Sequence, residues 1–159
     1  MPLLFVSLIP NQPVKKITLL FVCIHNSARS QMAEAFLNHL AGDRFEAASA
    51  GLEKGTLNPL AVRVMAEVGI DISGNQTKSV FDFHESGKHF HYVITVCDAA
   101  HAASCPVFPG ANNTLHWFFD DPSSLAGTEE EKLEATRIIR DAIETQVRRF
   151  IESVGQHAH

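Results

Sequence analysis

The sequence predicts an α/β fold built on a parallel sheet. Two observations carry this. The strand-like segments, residues 17–22 and 91–96, are continuous apolar runs rather than alternating ones, the pattern of strands covered on both faces. They also alternate with segments of helical periodicity, as crossover connections between parallel strands require.

The elements follow in order. Ile17 to Val22 is the first strand. Ser30 to Leu40 reads as a helix with Met32, Ala33, Phe36, Leu37 and Leu40 on one face, and Gly42 ends it. Phe45 to Ala50 is a second strand closing at Gly51. Asn58 opens a helix from Pro59 to Val68, with proline in its first turn and Gly69 as its stop. His91 to Val96 and Thr114 to Trp117 supply the third and fourth strands. Thr128 and Glu131 form a capping box, and a long helix runs from there to about Ser153. Ala135, Ile138, Ile139, Ala142, Ile143, Val147, Phe150 and Ile151 mark its packing stripe. In such sheets, ligands sit at the carboxyl ends of the strands.

Size and charge narrow the function. A chain of 159 residues, 45% apolar and 19% charged, is one ordinary domain with enough core to need no staples. Its net charge of −5 comes with no basic run, which argues against nucleic acid and against a membrane surface. Residues 1–15 read as an N-terminal extension, either on the surface or added as an edge strand. Its apolar start, Met1 to Pro10, lacks a basic leader region, and no run approaches the length of a membrane span. Residues 16–154 form the expected domain and 155–159 a tail. Three cysteines, an odd number, suit a reducing cytoplasm better than a disulfide framework.

The loop after the first strand concentrates the chemistry. It runs Cys23, Ile24, His25, Asn26, Ser27, Ala28, Arg29, and Ser30 opens the helix. A loop of this shape turns backbone N–H groups inward and ends on a helix N-terminus, so it attracts a tetrahedral oxyanion. Arg29 adds a planar fork for two of the anion's oxygens. The same positive field favours the thiolate form of Cys23, and Ser30 is placed to donate a hydrogen bond to the sulfur.

This stretch, residues 21–35, resembles the phosphate-loop signature of the thioredoxin-coupled arsenate reductases built on the low-molecular-weight tyrosine phosphatase fold. The resemblance continues through residues 49–51, 69–73, 93–97, 105–106, 116–117 and 120–122, and so spans Lys16 to about Ser153. It implies a three-layer α/β/α architecture with a central four-stranded parallel sheet.

It also implies a cytoplasmic enzyme that reduces arsenate to arsenite, with phosphate or sulfate as mimics of the substrate. Cys23 would attack arsenic, and Cys97 and Cys105 would carry the oxidation outward as a disulfide that thioredoxin resets. The plain alternative for these two is a pair of inert core thiols. Seven residues separate them, where relatives usually have six. Eight residues of straight helix rise about 12 Å, too far for a disulfide, so bonding requires the segment between them to loop out.

Asp121, before Pro122, matches the family's general acid; Asp120 is the lesser candidate. Asn26, Glu34 and Ser49 match positions that support the loop, and in some relatives they hold a potassium ion. Here Lys78 falls about where a further carboxylate ligand would stand, which argues against the ion. Nine histidines form no zinc pattern, so neither a catalytic metal nor a cofactor is expected. The alternative function is a phosphatase acting on phosphotyrosine or small phosphoesters, which would have no need of Cys97 and Cys105.

Overall fold

The computed structural model describes residues 15–53, 55–97 and 111–157. Four strands, β1 (Ile17–Cys23), β2 (Phe45–Gly51), β3 (Phe90–Cys97) and β4 (Ala111–Phe118), form one sheet in the order β2-β1-β3-β4. Every pairing is parallel, with Phe21 opposite Ser49 and Ile94, and Cys97 opposite Phe118. The helices are α1 (Arg29–Ala41), α2 (Pro59–Glu67), α3 (Val80–Glu85) and α4 (Glu129–His157). The three-layer α/β/α architecture is the one expected.

Each sheet face has its own apolar core. Leu19, Phe21, Ile94, Val96 and Trp117 pack with Met32, Phe36 and Leu37 of α1, Val64 and Met65 of α2, and Ile139, Ile143, Val147 and Phe150 of α4. On the other face, Leu20, Val22, Ala50, Phe90 and Val93 meet Val80 and Phe83 of α3. Phe150 anchors α4, its ring lying 5.8 Å from Phe45, 5.2 Å from Tyr92 and 6.0 Å from Trp117. Truncating so buried an aromatic typically costs about 3–5 kcal/mol.

The ends of the helices follow the sequence cues. Asn58 caps α2 by accepting the Leu60 N–H at 2.8 Å, and Gly69, at φ +82°, turns the chain away behind it. The capping box forms in both directions: Glu131 N–H donates to Thr128 Oγ1, and Thr128 N–H to Glu131 Oε1. α4 runs to His157, past the expected end near Ser153.

Two expectations need correction. The short helix α3 is not foreseen. The stripe on α4 is also partly misplaced, because Ile138 is 64% exposed and Ala142 is exposed, while Leu133, Thr136 and Arg140 are buried. The binary pattern fails at Arg140 because its charge is paired inside. Arg140 Nη1 donates to Val64 O and Glu67 Oε1, and Arg137 grips the same carboxylate at 2.7 Å. These guanidiniums, Arg137 first, hold the Glu67 carboxyl down to about 2. No helix among the described residues is long and apolar enough to cross a membrane. Residues 1–14 of the N-terminal extension lie outside the described residues.

Candidate active site

β1 delivers Cys23 to the carboxyl edge of the sheet, and the chain then closes a cup before α1 begins. What shapes the cup is the fate of its carbonyls. Leu52 N–H donates to Cys23 O, Glu53 N–H to Ile24 O, Gly55 N–H to His25 O, and Asn58 N–H to Ser27 O, all at 2.9–3.1 Å. Gln31 Nε2 takes Asn26 O, and Met32 N–H takes Ala28 O. Six consecutive carbonyls are thus bound by donors from outside the loop. A peptide's N–H points opposite to its C=O, so the loop's N–H groups are left to converge on its interior.

Two local features permit this. Asn26 adopts φ +56°, alone among the described non-glycine residues, a conformation asparagine tolerates better than most. Gly51 lets β2 end directly against the loop: a Cβ there would fall 2.7 Å from both Asn26 N and Ile24 O.

The N-terminus of α1 adds to the field. Its N-cap, Ala28, offers no side-chain hydrogen bond, and its first turn contains no acidic residue. The helix dipole is therefore uncancelled where the cup opens. At its base, Cys23 Sγ lies 2.9 Å from Ser30 Oγ and receives the Asn26 N–H at 3.0 Å. The predicted serine contact is present. Arg29, 6% exposed, donates from Nη1 to Phe119 O and places Nη2 3.5 Å from Asp121 Oδ2. Asp121 is in turn oriented by the Ser123 N–H on its other oxygen. The pair brings the candidate acid to the rim that the guanidinium shares. His25 contributes backbone to the cup, while its imidazole sits outside, half exposed and 3.8 Å from Glu53.

The supporting residues are also brought together. Asn26 Nδ2 donates to Ser30 Oγ, and Asn26 Oδ1 receives the Lys78 N–H at 2.9 Å. Lys78 therefore braces the loop through its backbone. Its ammonium stands 4.0 Å from Glu34 Oε1, which also accepts from Ser49 Oγ. Burial pushes the Glu34 carboxyl up, and Lys78 and Ser49 pull partly against that rise. With an ammonium already facing this one carboxylate, these residues do not suit a potassium ion.

Cys97 ends β3, level with the cup, because β1 and β3 pair in register with Val22 opposite Thr95. It is disulfide-bonded, whereas Cys23 is free. Cys105 lies outside the described residues. Sequence reasoning passed over Gln31, which is fully buried, and the donors of residues 52–58. Gln31 stands beside Arg29 and Ser30 at the polar start of α1, where the letters give no signal of burial. The donors are backbone groups and leave no trace in residue type.

Comparison with known proteins gives the family. The family model described as low molecular weight phosphotyrosine protein phosphatase matches residues 18–159. An arsenate reductase of Bacillus subtilis is 44% identical over 133 residues, covering 84% of this chain and 94% of that protein. The solved structure of an arsenate reductase in the phosphate binding state superposes with a TM-score of 0.71 at 30% identity, over 86% of this chain and 98% of the other. A thioredoxin-dependent arsenate reductase of Corynebacterium glutamicum superposes with a TM-score of 0.64 at 28% identity, over 92% of this chain and 65% of that one.

Proposed function

Because the chain belongs to the low molecular weight phosphotyrosine protein phosphatase family, among its arsenate reductases, we propose that it reduces arsenate to arsenite by a relay through Cys23, Cys97 and Cys105. The observation that carries the reading is a cup of inward N–H groups closed over a cysteine and flanked by Arg29 and Asp121.

The chemistry balances in three steps. Cys23 sulfur attacks arsenic, forming an S–As bond, and an arsenate oxygen leaves as water with a proton from Asp121. The N–H cup and Arg29 stabilise the charge on the remaining oxygens. Cys97 then attacks Cys23 sulfur. The S–S bond forms, the S–As bond breaks with its electron pair staying on arsenic, and arsenite departs. Last, Cys105 attacks Cys97, which frees Cys23 and moves the disulfide away from the cup. An external dithiol, thioredoxin on this reading, reduces it. Two features support the relay. Cys97 ends the strand beside β1, one position beyond the continuation of the Cys23 register. A bonded Cys97 and a free Cys23 are also the states in which the last step would leave these two cysteines.

A secondary hydrolysis of phosphomonoesters is the second reading, since Cys23, Arg29 and Asp121 would serve ester cleavage as well as attack on arsenate.

The test is arsenate turnover with thioredoxin, compared with glutaredoxin plus glutathione and with mycothiol. Thioredoxin is expected to sustain it. Cys97→Ser and Cys105→Ser should each stop repeated turnover while sparing aryl phosphate cleavage. Equal loss of both activities would make the two thiols structural.

A further inference from the structure

We propose that Gln31 is a positioning residue for the Cys23 nucleophile, acting through Asn26 and Ser30. The inference rests on the reading of Cys23 as the attacking group.

The direction of each hydrogen bond can be worked out from a donor that admits no ambiguity. The Lys78 backbone N–H meets one end of the Asn26 amide at 2.9 Å, so that end is the oxygen. The other end is therefore the NH2 group, and it donates to Ser30 Oγ at 2.9 Å. With its oxygen accepting there, the Ser30 hydroxyl turns its single proton to Cys23 Sγ. The sulfur, which also receives the Asn26 N–H, is held as an acceptor, the role of a thiolate.

Gln31 fixes the Asn26 amide at the head of this chain. Its Nε2 reaches Asn26 Oδ1 at 3.0 Å, Asn26 O at 3.2 Å and Gln76 O at 3.0 Å, all acceptors, so its own orientation is settled too. Its Oε1 accepts from Asn75 Nδ2 at 3.1 Å. Asn26 O needs this side chain because the positive φ of Asn26 turns that carbonyl away from the row of backbone donors in residues 52–58. Among the described residues, the side-chain hydrogen bonds of Gln31 thus go to Asn26 or to the segment that braces it. Gln31 is fully buried, and a residue serving packing alone at such a position would be apolar.

Gln31→Met keeps length and bulk and removes the hydrogen bonds. Iodoacetamide labelling of the Cys23 peptide at about pH 6 should slow roughly tenfold, and kcat for arsenate should fall to match. KM should move by less than about threefold, because the N–H cup and Arg29 remain. Asn75→Ala, at a half-buried position, should slow labelling about twofold, with no further loss when combined with Gln31→Met, since Asn75 acts through Gln31. A folded Gln31→Met protein that labels at the wild-type rate overturns the proposal, as does full additivity of the two variants. Should Gln31→Met fail to fold, unchanged labelling in Asn75→Ala overturns it alone. Labelling is read without arsenate. A wild type with Gln31-dependent labelling and no arsenate turnover therefore overturns the reductase reading and leaves this one standing.

Discussion

The cup at Cys23 and the cluster at Glu67 handle charge in opposite ways. At the cluster, Glu67 is gripped by Arg137 and Arg140, and Arg140 also takes the Val64 carbonyl near the end of α2. Each charge there is answered by another within the fold. At the cup, the carbonyls of residues 23–28 are all answered from outside, and the inward N–H groups and the α1 N-terminus are left with their field intact. One region spends its polarity on holding two helices together. The other pairs Arg29 with Asp121 at its rim, but its loop carbonyls are turned outward and its N–H groups inward.

The contrast can be broken at several points. Cys23→Ser has the largest expected effect: no arsenate reduction and no phosphoester cleavage, with the melting temperature nearly unchanged, because the cup is held by backbone bonds. A large loss of stability would mean that Cys23 is structural after all. Arg29→Lys comes next. A point charge does not reproduce the fork, and kcat/KM should drop by about 10² or more. A drop below threefold would remove Arg29 from the oxyanion site.

Glu67→Gln should leave activity alone and lower Tm at neutral pH by about 2–4 °C. The sign with pH follows from a carboxyl held down to about 2 in the folded state. Its stabilisation is fully present above the ordinary value of 4.5 and is lost as pH falls toward about 2. The Tm gap between wild type and variant should therefore close over that interval in acid. The smallest effect is expected at Glu34. Lys78 lowers a carboxyl that burial has raised, so Lys78→Met should push the Glu34 titration further up, as read by carboxyl NMR. A downward move would show that burial is not the ruling cause.

The legible parts of this molecule were those written in residue type. Apolar runs marked β1 and β3, and the loop from Cys23 to Ser30 stood out by the order of its side chains. Thr128 and Glu131 capped the long helix as their spacing required. The parts that escaped depend on geometry between distant segments. Nothing in Leu52, Glu53, Gly55 or Asn58 declares that their N–H groups will face the carbonyls of Cys23 to Ser27. Arg140 escaped because a pattern of apolar and polar letters places an arginine outside, whereas Glu67 and Val64 draw it in. Helix α3, only six residues long, gave too short a window for periodicity to register.

The fully bonded carbonyls of the loop have a consequence for selectivity. A pocket built before its guest arrives cannot remodel itself around small differences in bond length, and phosphate presents nearly the same tetrahedron as arsenate. Discrimination by fit is therefore weak, and phosphate should act as a competitive inhibitor. On the proposed chemistry, the choice between the two is made later and electronically. Arsenic accepts an electron pair when a thiol attacks the sulfur bound to it; phosphorus at the same position does not. Phosphate thus occupies the site for a time and leaves unchanged, and no thiol of the relay is oxidised on its account.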